Sequence, residues 1–170
     1  MMLNIRKANL ADSSLLHELG FEIYSAHFKN LWVSQSEMND YMAHEYSTAV
    51  LELSIKDPRV CWYIAETDHP VGFAKITWES KIPDTEISGA LLNKLYLASD
   101  VTGRNYGKII FQHLVSLARK KGADFLWLEV LKQNDRARNF YENLGFRYIK
   151  DTTLQTASQQ SILHIMGITL

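Results

Sequence analysis

The sequence predicts a single α/β domain: a mixed central sheet with helices on both faces. Three observations carry that prediction. Two strand-like runs between residues 60 and 79 flank a polar turn and read as a hairpin. From Leu91 to Leu117 an apolar strand runs into a loop holding Gly103 and Gly107, and that loop opens a helix. A second strand and helix follow from Phe125 onward. A hairpin leading to a strand and then to β–α–β–α implies a mixed sheet covered on both sides.

The elements read as follows in chain order. Leu3 to Ala8 alternates as a first strand, and Asn9 to Asp12 supplies helix-start chemistry. Leu15, Leu16, Leu19, Ile23, Tyr24 and His27 share one helical face, through about Phe28. Leu31-Trp32-Val33 is an apolar knot in a connection. Ser34 or Ser36 can cap a second helix carrying Met38, Tyr41, Met42 and Tyr46. Ser47 starts a short third helix that Asp57-Pro58 stops. Val60 to Glu66 and Val71 to Glu79 are the hairpin strands. Ser80 to Gly89, polar and containing Pro83, reads as a surface loop. Beyond the glycine loop, Ile109, Ile110, Leu114, Leu117 and Ala118 carry helical spacing. Arg119-Lys120-Lys121-Gly122 then ends that helix as its dipole prefers. Phe125 to Leu131 is a strand and Asn134 to Leu144 a helix. Phe146 to Asp151 and Ser161 to Thr169 are final strands separated by a polar Thr/Gln/Ser loop.

Composition narrows the function. The chain has 170 residues with 46% hydrophobic content and a net charge of −1, so no global charge pulls it toward nucleic acid or a membrane. The distribution is uneven. Residues 1–100 hold 8 Lys+Arg against 14 Asp+Glu, and residues 101–150 hold 10 against 4. A basic third around a glycine loop suits an anionic cofactor, and the acidic remainder suits a cationic substrate; chance asymmetry of solvated faces is the plain alternative. One cysteine, Cys61, excludes an intrachain disulfide and reads as a buried small residue. Six scattered histidines show no metal-ligand spacing, so no metal is expected. No run resembles a signal peptide or reaches membrane-spanning length, so a soluble, cytoplasmic protein is expected.

Two segments together carry a family resemblance. The first is Leu95-Tyr96-Leu97 followed by Thr102-Gly103-Arg104-Asn105-Tyr106-Gly107. The second is Leu126-Trp127-Leu128-Glu129-Val130, then Asn134, Ala137, Phe140-Tyr141-Glu142 and Leu144-Gly145-Phe146. They resemble the Gcn5-related N-acetyltransferase (GNAT) superfamily, over essentially the whole chain. The N-terminal part looks like the PaiA-type polyamine acetyltransferases. The resemblance implies a sheet whose central strand splays from the later parallel strand, with acetyl-CoA as co-substrate between them. Backbone groups at Leu95, Tyr96 and Leu97 would pair with the pantetheine arm, and the loop Thr102, Gly103, Arg104, Asn105, Tyr106, Gly107 and Lys108 would hold the pyrophosphate. Free N–H groups at a helix start are suited to such an anion. The family pattern places Gln or Arg where Thr102 stands and glycine where Asn105 stands. Asn is the non-glycine residue that best adopts positive φ, and its backbone N–H is retained.

The resemblance also implies the chemistry. Acetyl transfer from a thioester to an amine needs an acceptor for the amine's proton and a donor for the leaving sulfur. Tyr141 stands at the family's tyrosine position, as the acid. Relatives often carry a carboxylate on the central strand, but Leu91-Leu92-Asn93-Lys94 holds none. Glu129, twelve residues before Tyr141, is the replacement base, with water-mediated use of Glu79 or Glu86 open beside it. Asn134 would orient the cofactor, and Arg136 or Arg138 would reach its phosphates. The expected activity is acetylation of a primary amine, a polyamine first, by direct attack in a ternary complex. Acetylation of a protein N-terminus, or a degenerate module that binds CoA without catalysis, are the alternatives. The expected partner is a small-molecule amine, with no nucleic acid and no membrane, and a homodimer is left open.

Overall fold

The computed structural model describes residues 2–101 and 103–170. The elements are β1 (Asn4–Lys7), α1 (Ser13–Phe28), α2 (Gln35–Tyr46), α3 (Thr48–Lys56), β2 (Val60–Glu66), β3 (Pro70–Lys81) and β4 (Ser88–Leu97). They continue with α4 (Tyr106–Lys120), β5 (Phe125–Leu131), α5 (Asp135–Asn143), β6 (Arg147–Gln155) and β7 (Gln160–Thr169). All seven strands join one sheet in the order β1-β2-β3-β4-β5-β7-β6. Among the described residues only the β4–β5 contact is parallel.

Local chemistry sets the helix starts. The Asn9 side chain accepts from Ala11 N–H while the Asp12 carboxylate accepts from Asn9 N–H. Arg6 then holds Asp12 from β1 at 2.9 Å, so the first strand is tied to the entry of α1. Ser34, of the two candidate serines, caps α2, and Ser47 caps α3. Strand alternation sorts the core onto two faces. Trp62, Ile64 and Phe73 pack under α1, α2 and α3. Cys61, Tyr63, Ala65, Ala74 and Ile76 pack with Ile110, Phe111 and Leu114 of α4 on the other face. Cys61 is buried, its sulfur 3.4 Å from Trp78 Nε1. Among the described residues no helix is long and apolar enough to cross a membrane.

Two expected loops are shorter than the sequence suggested, because strand extends into their ends. Residues 80–89 were expected as a surface loop; residues 83–87 are one, mostly exposed, but Ser80 pairs with Gly89 and Lys81 with Ser88, so the strands reach further into the segment. The cause is Ile82, fully buried against Trp127 and Ile165. Trp127 Nε1 also donates to the Ser80 carbonyl at 3.0 Å. One buried isoleucine in a polar stretch folds the hairpin end onto the sheet. Likewise the polar Thr/Gln/Ser segment extends β6 to Gln155, leaving only residues 156–159 between β6 and β7. β6 is an edge strand with a solvated face, so polar residues suit it.

The parallel pair is short. β4 and β5 match at Ala90–Leu126 and Leu91–Trp127 and then separate, although both strands continue. Separation follows a bulge in β4. Lys75 faces Lys94 and Ile76 faces Leu92, so Asn93 is an extra residue. A bulge bends its strand and increases its twist. Thr77 Oγ1 donates to Asn93 Oδ1 at 2.7 Å and holds the bulge in place.

The Ile82 placement is directly testable. Ile82→Ala should lower unfolding free energy by about 2–4 kcal/mol in urea titrations. Leu53→Ala, at a side chain 72% exposed, should change it by less than about 0.5 kcal/mol. Equal small effects would contradict the burial of Ile82.

Candidate active site

The site forms where β4 and β5 separate. Ala98 N–H donates to the Val71 carbonyl of β3 at 2.8 Å. Strand alternation therefore turns the backbone groups of Leu97 and Leu95 away from β3 and into the gap. The Leu97 carbonyl lies 2.6 Å from His27 Nε2 at the end of α1. Tyr96 is arranged differently. Its backbone belongs to the β3 ladder, and its ring packs with Tyr24, Phe28 and Phe73 on the α1 face.

Beyond β4 the chain turns into the glycine loop. Gly103 has φ 84 and Asn105 has φ 66, both in the left-handed region. Asn105 thus supplies the conformation for which glycine is the usual residue. It sits at the cap of α4, and among the described residues no side chain caps that helix, leaving the first-turn N–H groups of Tyr106, Gly107 and Lys108 for a ligand. Arg104 and Lys108 are exposed beside them. A Cβ at Gly107 would meet the Phe140 ring at 3.3 Å, so glycine lets α4 approach α5 closely. Thr102 lies outside the described residues.

Tyr141 and Glu129 flank the gap on opposite faces. Tyr141 packs on Phe140 and Phe146, with centroids 5.1 and 5.4 Å away, beside the α4 core. Among the described residues its hydroxyl makes no hydrogen bond. Burial pushes its phenol above the ordinary value of 10, so the proton stays on at neutral pH and is available to donate. Glu129 follows Trp127 and precedes Leu131 on the face of α1 and α2. Among the described residues its carboxylate has no hydrogen bond or ion pair. Glu129 is exposed, and desolvation by the side chains around it raises its pKa, the direction that favours a base. Counting on from the Leu91–Trp127 pair puts Glu129 level with Asn93, across the gap.

Other residues fall into structural or remote positions. Asn134 caps α5, accepting from Ala137 N–H at 3.2 Å. Arg138 pairs with Asp135 within α5, whereas Arg136 is exposed. Glu79 and Glu86 lie at the other end of the β3–β4 hairpin, roughly 25 Å along β4 from Leu97 at strand rise. Glu86 pairs there with Lys81 at 3.2 Å. A cavity of about 340 Å³ also sits at that end, between Arg59, Trp78, Glu79 and Lys121. Among the described residues no group of three or more His, Cys, Asp or Glu could hold a metal ion.

The face above Glu129 was not foreseen. Tyr24 and Tyr41 pack at 5.1 Å, Trp32 lies 5.5 Å from Tyr41, and Trp32 Nε1 donates to Tyr24 Oη at 3.0 Å. A small cavity of about 30 Å³ lies between Tyr24, Trp32, Leu131 and Gln159. Gln159 closes it from the β6–β7 turn, donating to the Leu31 carbonyl at 3.1 Å and accepting from Val33 N–H at 2.8 Å. From β4, Lys94 is 6% exposed and reaches Glu45 of α2 at 2.8 Å. A lysine inside the apolar run LLNKLYL was the signal for that pair.

The comparisons with known proteins agree with this geometry. The model of the acetyltransferase (GNAT) family matches residues 22–146, so the chain belongs to that family. It is an acyltransferase that takes its acetyl group from acetyl-CoA as co-substrate. It is 27% identical over 151 residues to the peptidyl-lysine N-acetyltransferase YjaB of Escherichia coli strain K12, covering 86% of this chain and 84% of that one. It is 30% identical over 86 residues to the [ribosomal protein bS18]-alanine N-acetyltransferase of Haemophilus influenzae, covering 51% and 53%. The crystal structure of PaiA N-acetyltransferase from Thermoplasma acidophilum, in complex with coenzyme A, superposes with a TM-score of 0.80 at 24% identity, covering all of both chains.

The loop makes a specific forecast. Asn105→Gly should leave CoA affinity within about twofold by calorimetry, since glycine accepts the same φ. Asn105→Val should cost about 1–2 kcal/mol of stability and weaken CoA binding about tenfold. Equal binding by both variants would remove the loop from the cofactor site.

Proposed function

We propose that the protein acetylates a primary amine by direct attack in a ternary complex, with polyamines as the first acceptor class. The observation that supports this most is the gap itself, with a free carboxylate at Glu129 on one face and the Tyr141 phenol on the other. In this reading the amine enters from the α1–α2 face and the thioester lies in the gap. Glu129 takes one proton from the attacking nitrogen, directly or through water. The C–N bond forms as the C–S bond breaks, and Tyr141 gives its proton to the departing sulfur. Leu95 and Leu97 would align the pantetheine arm. The loop N–H groups from Gly103 to Lys108 and the exposed Arg104, Lys108 and Arg136 would receive the phosphates.

Two observations support activity over a binding-only role. Asn105 holds the left-handed conformation, so its departure from glycine leaves the loop shape in place. Glu129 stands level with the position that lacks a carboxylate on β4, so a base is still supplied at that height. A protein amine is the second reading. It is favoured by similarity to enzymes named for peptidyl-lysine and ribosomal-protein alanine acetylation.

Thiol release from acetyl-CoA with spermidine, a lysine peptide and an alanine-terminated peptide separates these readings. Turnover with spermidine at a kcat/KM at least tenfold above either peptide supports the first. Absence of turnover with every amine would contradict both. Tyr141→Phe should lower kcat by about 10²–10⁴ while acetyl-CoA still binds. Wild type should gain activity as pH rises through the Glu129 ionisation, because only the carboxylate accepts a proton. That limb should lie above the ordinary value of 4.5 and vanish in Glu129→Gln. A limb unchanged in Glu129→Gln would assign the base elsewhere.

A further inference from the structure

The acceptor face carries a second carboxylate that the transfer step leaves unused. Buried Met38, Met42 and Tyr46 recur on one stripe of α2 and enter the core under α1. Tyr41 and Glu45, four residues apart, share the neighbouring stripe. Tyr41 packs there on Tyr24 and Trp32. Glu45 Oε1 accepts from Lys94 Nζ at 2.8 Å, and Lys94 lies over the Tyr46 ring at 5.2 Å. The two partners differ in access. The Lys94 side chain is 5% exposed and the Glu45 side chain 26%. What an incoming ligand meets is therefore the carboxylate. Glu45 Oε2 has no partner among the described residues.

The surrounding charges define what that carboxylate faces. Lys94 comes from β4, Lys75 from β3, and His44 precedes it on α2. Lys75 lies 5.4 Å from the Trp62 ring and is balanced by Asp57 as well as by Glu45. Glu129 adds a further negative charge that reaches Tyr41 from β5. The wholly buried Tyr46 hydroxyl has no hydrogen-bond partner among the described residues. The Tyr24, Tyr41 and Tyr96 rings stand close by, and electron-rich ring faces favour a cation over an anion.

We propose that Glu45 is a specificity-determining residue: its free oxygen receives a second ammonium of the acceptor while Lys94 holds the carboxylate in place. The preferred acceptor is then a flexible aliphatic diamine or polyamine, its reacting nitrogen at Glu129 and its distal nitrogen at Glu45. This rests on the reading of Glu129 and Tyr141 as the transfer pair. Discrimination comes from the second charge, so it acts on KM and spares the chemical step.

Steady-state kinetics with spermidine and hexylamine test the assignment. Wild type should favour spermidine. Glu45→Gln should raise KM for spermidine about tenfold, with kcat within about twofold, and leave hexylamine kinetics unchanged. Glu45→Gln strands a buried lysine, so Glu45→Gln/Lys94→Met is made beside it; removing both charges avoids an unpaired buried ion. The double variant should show the same loss for spermidine alone, with a thermal midpoint near that of wild type. Equal losses for both amines, or no loss for spermidine, would overturn the role of Glu45 and leave the transfer pair standing. No turnover of either amine by wild type would overturn both.

Discussion

The divergence of β4 from β5 past Leu91 and Trp127 is the constraint on which the rest of the structure depends. Two strands in the middle of a sheet stop pairing while both continue, which leaves backbone groups of Leu95 and Leu97 facing a gap. The Leu97 carbonyl meets His27 Nε2 at 2.6 Å, and the other gap-facing groups are left for an extended ligand. The arrangement persists because both strands are held from outside the gap. β4 is locked to β3 through Ala98 and the Asn93 bulge, and β5 is paired along its whole length to β7. The gap is therefore a rigid slot for an extended ligand with its own hydrogen-bonding groups, which matches the co-substrate of the family.

The two helical layers have different work around that slot. On one face α4 and α5 present uncapped N–H groups and the Tyr141 phenol. On the other, Tyr24, Tyr41 and Trp32 form an aromatic cluster on the face that carries Glu129; Glu45–Lys94 ties α2 to the sheet, and Gln159 ties the segment after α1 to the last hairpin. The opening between the strands connects the two layers.

Much of this was legible in the amino-acid order because it follows from local rules. The glycine loop, the Leu-Glu-Val strand, the serine caps and the tolerance of Asn105 for positive φ each depend on a few neighbouring residues. What escaped depends on contacts distant in sequence. Ile82 is buried by Trp127 and Ile165, which no local pattern announces. Lys94 finds Glu45 across 49 positions, and Gln159 finds Leu31 across 128. The assignment of Tyr96 to a cofactor contact overlooked a parity: its neighbours face the gap, whereas its own backbone faces β3. Of the two carboxylates left open beside Glu129, the hairpin register puts Glu79 near the level of Ala90, about 10 Å along β4 from Asn93, while Glu86 lies beyond it and pairs with Lys81.

A crystal structure of this protein with coenzyme A and spermidine would test the central claim most directly. The account predicts the sulfur in the gap within hydrogen-bond distance of Tyr141 Oη, the pantetheine amides paired with Leu95 and Leu97, and an amine of spermidine on the Glu129 face. A sulfur remote from Tyr141, or an amine entering from the same face as that tyrosine, would contradict it.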